Sequence, residues 1–197
     1  MNLTRNDIYN FLRASVHEPQ KAAKWSIQGF GMLRMHLQDD WRLSVWHPDY
    51  AVVGVSDIHD HPWNFTSYVL NGTMKSHIYQ VPFAGKQEQR AERYHGKEIK
   101  PGTGLEVVRQ LPDTMLAAMH THVCSKGQSY RQVYHELHRS EFTKGCVTLI
   151  KRDRSGRPDL ARTFWPQGTT WVSAEPREAT TDEVVAMCTA ALSYWQA

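Results

Sequence analysis

An all-β barrel or sandwich trimmed with helices is the fold this chain predicts, and three observations carry it. From about residue 32 to about 174, short runs rich in Val, Ile, Thr and aromatics alternate with Gly, Pro, Asn and Asp turn chemistry. The two ends carry apolar residues at helical spacing instead, over about 4–16 and 180–195. No repeat, charge block or low-complexity linker interrupts the 197 residues, so residues 1–197 read as one domain, large enough to bury a core.

In chain order, Thr4 or Asn6 can cap a first helix in which Ile8, Phe11, Leu12 and Val16 recur on one side. A second amphipathic stretch follows at Pro19–Ile27. Met32–Leu37, Trp41–Val45 and Tyr50–Val55 read as strands separated by Gln38-Asp39-Asp40 and His47-Pro48-Asp49. Thr66–Leu70 and Thr73–Val81 flank Asn71-Gly72, a strong hairpin signal, with Met74, Ser76 and Ile78 on one face. Residues 83–97 lack an apolar period and read as an exposed connection. Further strands are expected at Leu105–Leu111, Thr114–Val123, Ser129–Leu137, Cys146–Arg152, Leu160–Trp165 and Thr170–Ala174. Thr180 and Glu183 form a capping box for a last helix bearing Val184, Val185, Cys188, Ala191, Leu192 and Trp195.

Composition narrows the function classes. A hydrophobic content of 41%, with 7 Trp, 8 Tyr and 6 Phe, argues for a packed protein rather than a disordered one. The net charge of +3 is small and scattered, so no nucleic-acid partner is expected. No apolar run has the length to cross a bilayer, so no membrane partner is expected either. The first residues lack a signal-peptide pattern. Three cysteines, Cys124, Cys146 and Cys188, at spacings unlike any zinc motif, fit a reduced cytoplasmic protein, with Cys124 and Cys146 read as small buried apolar groups.

The stretch that carries chemistry runs from Ser56 to Gly72 and contains His59-Asp-His61. Alternate residues of a strand share a face, so His59 and His61 point one way and Asp60 the other. Imidazole is the commonest biological metal ligand, and two on one face can occupy neighbouring positions on one ion. Chance alone yields about 0.6 His-x-His pairs in a chain of this histidine content, so the pair needs a third ligand to mean much. His138 and the His120/His122 pair are the candidates. His120, His122 and His135 otherwise read as exposed groups or as support behind the ligands.

His59-x-His61, a strand, Gly72, and a later strand ending in a lone histidine resemble the two-motif arrangement of the cupins. Leu43-Ser-Val-Trp46, then Asp57-Ile-His59-Asp-His61 and Tyr68-Val-Leu-Asn-Gly72, resembles the first motif of the thiol dioxygenases (cysteine dioxygenase and its relatives). Glu136-Leu-His138-Arg-Ser-Glu141, followed by Val147-Thr-Leu-Ile150, resembles their second. His59-Asp-His61-Pro-Trp63 with a later His-Arg is also similar to uncharacterised bacterial and phage cupins. The resemblance spans about residues 32–152. It implies a double-stranded β-helix, the cupin jelly-roll barrel, with His59, His61 and His138 as the three metal ligands.

Two departures shape the functional expectation. Cupins often add a Glu four or five positions after the second histidine, where this chain has Phe65 and Thr66; the result is a three-His face with open positions for substrate and dioxygen. Thiol dioxygenases carry a Ser-x-His-x-Tyr relay where this chain has Thr148, Ile150 and Arg152. The expected function is therefore an Fe(II) dioxygenase, an oxidoreductase acting on a small polar or anionic molecule, with a thiol as one substrate class. Iron is preferred because an open imidazole face suits dioxygen chemistry, while Zn, Ni, Mn or Cu also fit imidazole donors. Tyr130 and Tyr134 are the candidate catalytic phenols; Gln132 is expected on their strand face, leading to His138. Arg34, in the place the resemblance gives to a substrate-carboxylate arginine, Trp63 and Gln132 are the candidate substrate contacts. A non-catalytic cupin that binds a metal or a small metabolite is the alternative, and a homodimer is compatible with either.

Overall fold

A computed structural model describes residues 3–19, 24–52, 55, 58–82, 90–100, 106–153, 160–173 and 175–195. It is mostly β, with 58% of the described residues in strands, and these form two antiparallel sheets alongside two helices. The strands are β1 (Ser26–Gln28), β2 (Phe30–His36), β3 (Trp41–Ala51), β4 (Ile58–His59), β5 (Asn64–Asn71), β6 (Thr73–Gln80) and β7 (Glu92–Lys100). They continue as β8 (Glu106–Ser125), β9 (Ser129–Gln132), β10 (Leu137–Phe142), β11 (Cys146–Asp153), β12 (Ala161–Pro166) and β13 (Arg177–Glu178). Helix α1 spans Arg5–His17 and α2 spans Thr181–Ser193. Seven strands pair in the order β13-β1-β2-β3-β11-β5-β9, and six close on themselves as β10-β4-β12-β7-β8-β6.

The seven-stranded sheet is sorted by period two. Leu33 and Met35 of β2, Leu43 and Val45 of β3, and Val147 and Leu149 of β11 pack against Ile8 and Leu12 of α1 and Val184, Met187, Cys188 and Ala191 of α2. Leu12 is fully buried, so Leu12→Ala costs about 2–5 kcal/mol. The alternate residues, Arg34, Arg42, Trp46, Ile150 and Arg152, face a cavity between this sheet and the closed one. Met32, Trp46, Val69, Met74, Cys124 and Cys146 pack one end of that interlayer. Ile58, Tyr79, Tyr94, Leu116, Leu137 and Phe164 form a separate cluster on the opposite face of the closed strands from His59 and His138.

Both helix caps follow from sequence. The Thr4 and Thr180 hydroxyls accept from the backbone N–H of Asp7 and Glu183, whose carboxylates accept from the cap N–H in return. Gly72, at φ +75°, turns β5 into β6, and a Cβ there would meet Thr143 Oγ1 at 2.7 Å.

Several boundaries differ from expectation. Ile27 lies in strand β1, not in a second helix, because tertiary pairing to β2 and β13 outweighs an amphipathic pattern; residues 20–23 lie outside the described ones. β3 runs straight through His47-Pro48-Asp49, with Pro48 exposed where it need not donate. Residues 92–97 belong to β7 rather than to a connection, and residues 83–89 and 101–105 lie outside the described ones. Leu105–Leu111 and Thr114–Val123 are parts of one strand, since β8 passes Pro112-Asp113 without stopping. Ser129–Leu137 breaks at residues 133–136, where His135 adopts φ +59°. Thr170–Ala174 contributes one isolated bridge, Val172 to Val55. All three cysteines are free and buried, as expected for Cys124 and Cys146. Among the described residues, no helix is long and apolar enough to cross a membrane.

Candidate metal centre

His59 ends β4 and is the direct cross-strand partner of His138 on β10 and of Thr163 on β12. Facing residues in an antiparallel pair share a side with their Cβ atoms about 5 Å apart, so this pairing alone brings two imidazoles together from positions 79 residues apart. His61 follows two residues later, just past the strand, and turns to the same side. Ring centroids stand 4.9 Å apart for His59–His61, 4.6 Å for His59–His138 and 5.1 Å for His61–His138. One nitrogen from each ring lies within 4.8 Å of the others, an arrangement that could hold a metal ion. Nitrogens bonded to one ion sit about 3 Å apart, inside the 4.8 Å within which these three lie.

The electrostatics suit ligation. Burial first, then the neighbouring His59, pushes the His138 pKa down to about 3. Burial, with His59, His138 and Arg42 close by, holds His61 well below the ordinary imidazole value. Both therefore stay neutral, the form that binds metal. His138 Nδ1 lies 3.2 Å from the Glu136 carbonyl. Donation to that oxygen fixes the tautomer and leaves the Nε2 lone pair for an ion. Phe65, in the slot where a fourth carboxylate ligand would sit, packs near-perpendicular to His61 with ring centroids 5.2 Å apart. Thr66 is half-buried and lies off the cavity wall.

Asp60 holds this centre from behind. It is 1% exposed, and its carboxylate accepts from the Arg162 backbone N–H at 2.6 Å and from Arg162 Nε at 2.7 Å. His135 Nδ1 lies 3.3 Å away, and Arg162 Nη2 donates to the His135 carbonyl at 2.8 Å. The His135 N–H donates to the His61 carbonyl at 3.1 Å. The Tyr134 N–H donates to Asn64 Oδ1 at 2.9 Å. The turn at 133–136 is thus latched onto the segment that carries His61.

In front of the histidines lies a cavity of about 180 Å³, room for a small molecule only. Arg34 lines it, with Nε donating to Ser26 Oγ at 3.2 Å and Nη1 to Gln28 Oε1 at 2.9 Å. Among the described residues it has no carboxylate partner, and burial with Arg152 nearby lowers its pKa to about 10. Arg42 and Arg152 share the wall, Arg152 donating to Asp40 at 2.9 Å. The carboxylate on the lining is that of Asp60, already engaged by Arg162. The lining is therefore cationic.

Of the other expected site residues, Tyr130 and Trp63 line the cavity, and Trp63 stacks on His61 with centroids 5.5 Å apart. Burial raises the Tyr130 phenol above its usual pKa, so it remains an O–H donor. Gln132 is buried but turns to Glu136, donating at 2.6 Å, and does not line the cavity. Tyr134 sits in the 133–136 turn with its ring against His135, away from the cavity wall. The expectation that Tyr130, Gln132 and Tyr134 share one strand face fails because β9 stops at Gln132. His120 and His122 are exposed on β8. Sequence reading missed Arg42, Arg152 and the Asp60–Arg162 pair. Strand parity did place Asp60 opposite the histidines, but Arg162 lies 102 positions away and no local signal links them.

Neither a scan against protein-family models nor a search of curated proteins finds a match to this chain.

Proposed function

We propose that this protein is a metal-dependent oxygenase of cupin type, most compatible with Fe(II), acting on a small anionic molecule. The observation that carries the reading is a trihistidine cluster at one wall of a small cavity whose opposite wall carries Arg34, Arg42 and Arg152. Neutral ligands leave a dication uncompensated, and the Arg34 guanidinium, which has no carboxylate partner among the described residues, favours an anion beside it. The strand order, with seven strands facing a closed six, is compatible with a double-stranded β-helix.

A redox-active ion on this face would supply binding positions for substrate and dioxygen side by side, so that proximity lowers the barrier. The chain's own part is to bind and orient. Arg34 would take a carboxylate or similar group, and the Tyr130 hydroxyl would donate to an oxygen of the bound molecule. Trp63, Phe65 and Ile150 would exclude water. Thr148 accepts from Trp46 Nε1 at 3.1 Å, and Ile150 and Arg152 follow it on the same face, so this strand offers no hydroxyl–imidazole–phenol relay. Tyr130 stands in register with Ser67 and Ile150 across β5 and β11, and is the phenol that could replace it.

Metal analysis of the protein as purified, followed by oxygen uptake of the iron-loaded protein against thiols and small carboxylates, tests the proposal. Uptake with one substrate, abolished in His138→Ala together with iron binding, is expected. Full iron occupancy without uptake on any member would favour the non-catalytic reading. Retention of iron by His138→Ala would remove this cluster as the metal centre.

A further inference from the structure

A second pair of imidazoles, outside the cavity, is held with ligand geometry. His120 and His122 stand two residues apart on β8 and so project from one face. Their Nε2 atoms are 2.9 Å apart and the rings are inclined at 87°. An N–H···N hydrogen bond accounts for such a contact, yet between exposed side chains it adds only about 1 kcal/mol against the entropy of fixing both rings. A shared ion gives the same spacing. Two nitrogens bonded at about 2.05 Å stand about 2.9 Å apart when the angle at the ion is 90°, and about 3.3 Å apart when it is tetrahedral. The observed spacing is that of adjacent corners of a tetragonal or octahedral ion, which with imidazole donors points to Cu²⁺ or Ni²⁺.

The surroundings leave the remaining corners open. β7 pairs with β8 through Leu116, whereas residues 117–125 pair with β6. Among the described residues this reach is therefore a sheet edge, and both histidines are exposed on it. His120 faces Ile78, and Ile78 faces His138, so the pair shares a sheet face with the trihistidine cluster two strands away, about 10 Å. The two clusters share no ligand.

We propose that His120 and His122 form a second, exchangeable divalent-metal site that prefers Cu²⁺ or Ni²⁺ to Zn²⁺. Calorimetric titration of metal-free protein with Cu²⁺, Ni²⁺ and Zn²⁺, in the wild type, the double variant H120Q/H122Q and H138A, tests it. The double variant should bind one equivalent of Cu²⁺ fewer than the wild type, and H138A should keep that equivalent. Copper-loaded H59A/H61A/H138A should show hyperfine splitting from two imidazole nitrogens in its paramagnetic resonance spectrum, absent from a variant that also carries H120Q and H122Q. Equal stoichiometry in the wild type and H120Q/H122Q overturns the site. Tighter binding of Zn²⁺ than Ni²⁺ at this equivalent overturns the right-angle geometry. Failure of the trihistidine cluster reads out separately, as an H138A protein that loses nothing. Because both rings are exposed on an edge, the substitutions leave the fold intact, which far-ultraviolet circular dichroism verifies.

Discussion

Asp60→Asn is the most informative single change, because it tests whether the buried carboxylate positions the histidines on either side of it. The substitution keeps size and one acceptor, so Arg162 N–H can still donate to the amide oxygen. The other oxygen becomes an NH₂ group, which then points hydrogens at Arg162 Nε–H and His135. A charge-assisted hydrogen bond is lost and a donor is set against a donor. Breaking a buried ion pair costs about 3–5 kcal/mol, and a bond to a charged group about 1.5–3 kcal/mol. Arg162 is one-third exposed and keeps its bond to the His135 carbonyl, so the lower range applies, about 2–3 kcal/mol. Through the His135 N–H to His61 carbonyl link the same change loosens a ligand, and metal affinity should fall about 10–100-fold. Urea unfolding of metal-free protein reads the first effect, and a competitive chelator titration reads the second. A stability change under 0.5 kcal/mol, or metal affinity within twofold of the wild type despite the lost stability, would refute the reasoning.

Three further outcomes are expected. Arg34→Ala should weaken binding of a small carboxylate about 10–100-fold without altering metal content, since the guanidinium faces the cavity without touching the histidines; equilibrium dialysis with the anion measures it. Gly72→Ala should cost about 1–2 kcal/mol from its left-handed backbone alone and more from the contact with Thr143, read from the urea midpoint. Arg177, hydrogen-bonded to Glu183, together with the Thr180 cap lowers the Glu183 pKa to about 2. The folded value lies below the unfolded one, so the contribution is present above about pH 4.5 and is lost as pH falls through about 2. Glu183→Gln should therefore lower Tm at pH 6, and the gap from the wild type should close in a series toward pH 2.

Much of the architecture was legible because it rests on local rules. The Thr180–Glu183 capping box, the Asn71-Gly72 hairpin and the period-two faces of β2, β5, β6 and β11 each follow from backbone geometry within a few residues. The same parity put His59 and His61 on one side and Asp60 on the other. Errors fell where distant pairing overrides local preference. Pro48 and Pro112 are carried through strands, and residues 92–97 pair with β8 and β12 although their own side chains show no period. Tyr134 was misplaced because a turn at His135 cannot be told from a strand when the residues around it are polar and aromatic alike.

The chain by itself determined which residues could ligate, which faces they occupy and that strands would carry them, because alternation is a property of each strand alone. Only the tertiary structure decided that His138 registers against His59, that Arg162 reaches Asp60, and that Arg34, Arg42 and Arg152 turn one cavity wall cationic. Those facts depend on which strands become neighbours, and neighbour choice is set by burial summed over the whole molecule rather than by any local stretch.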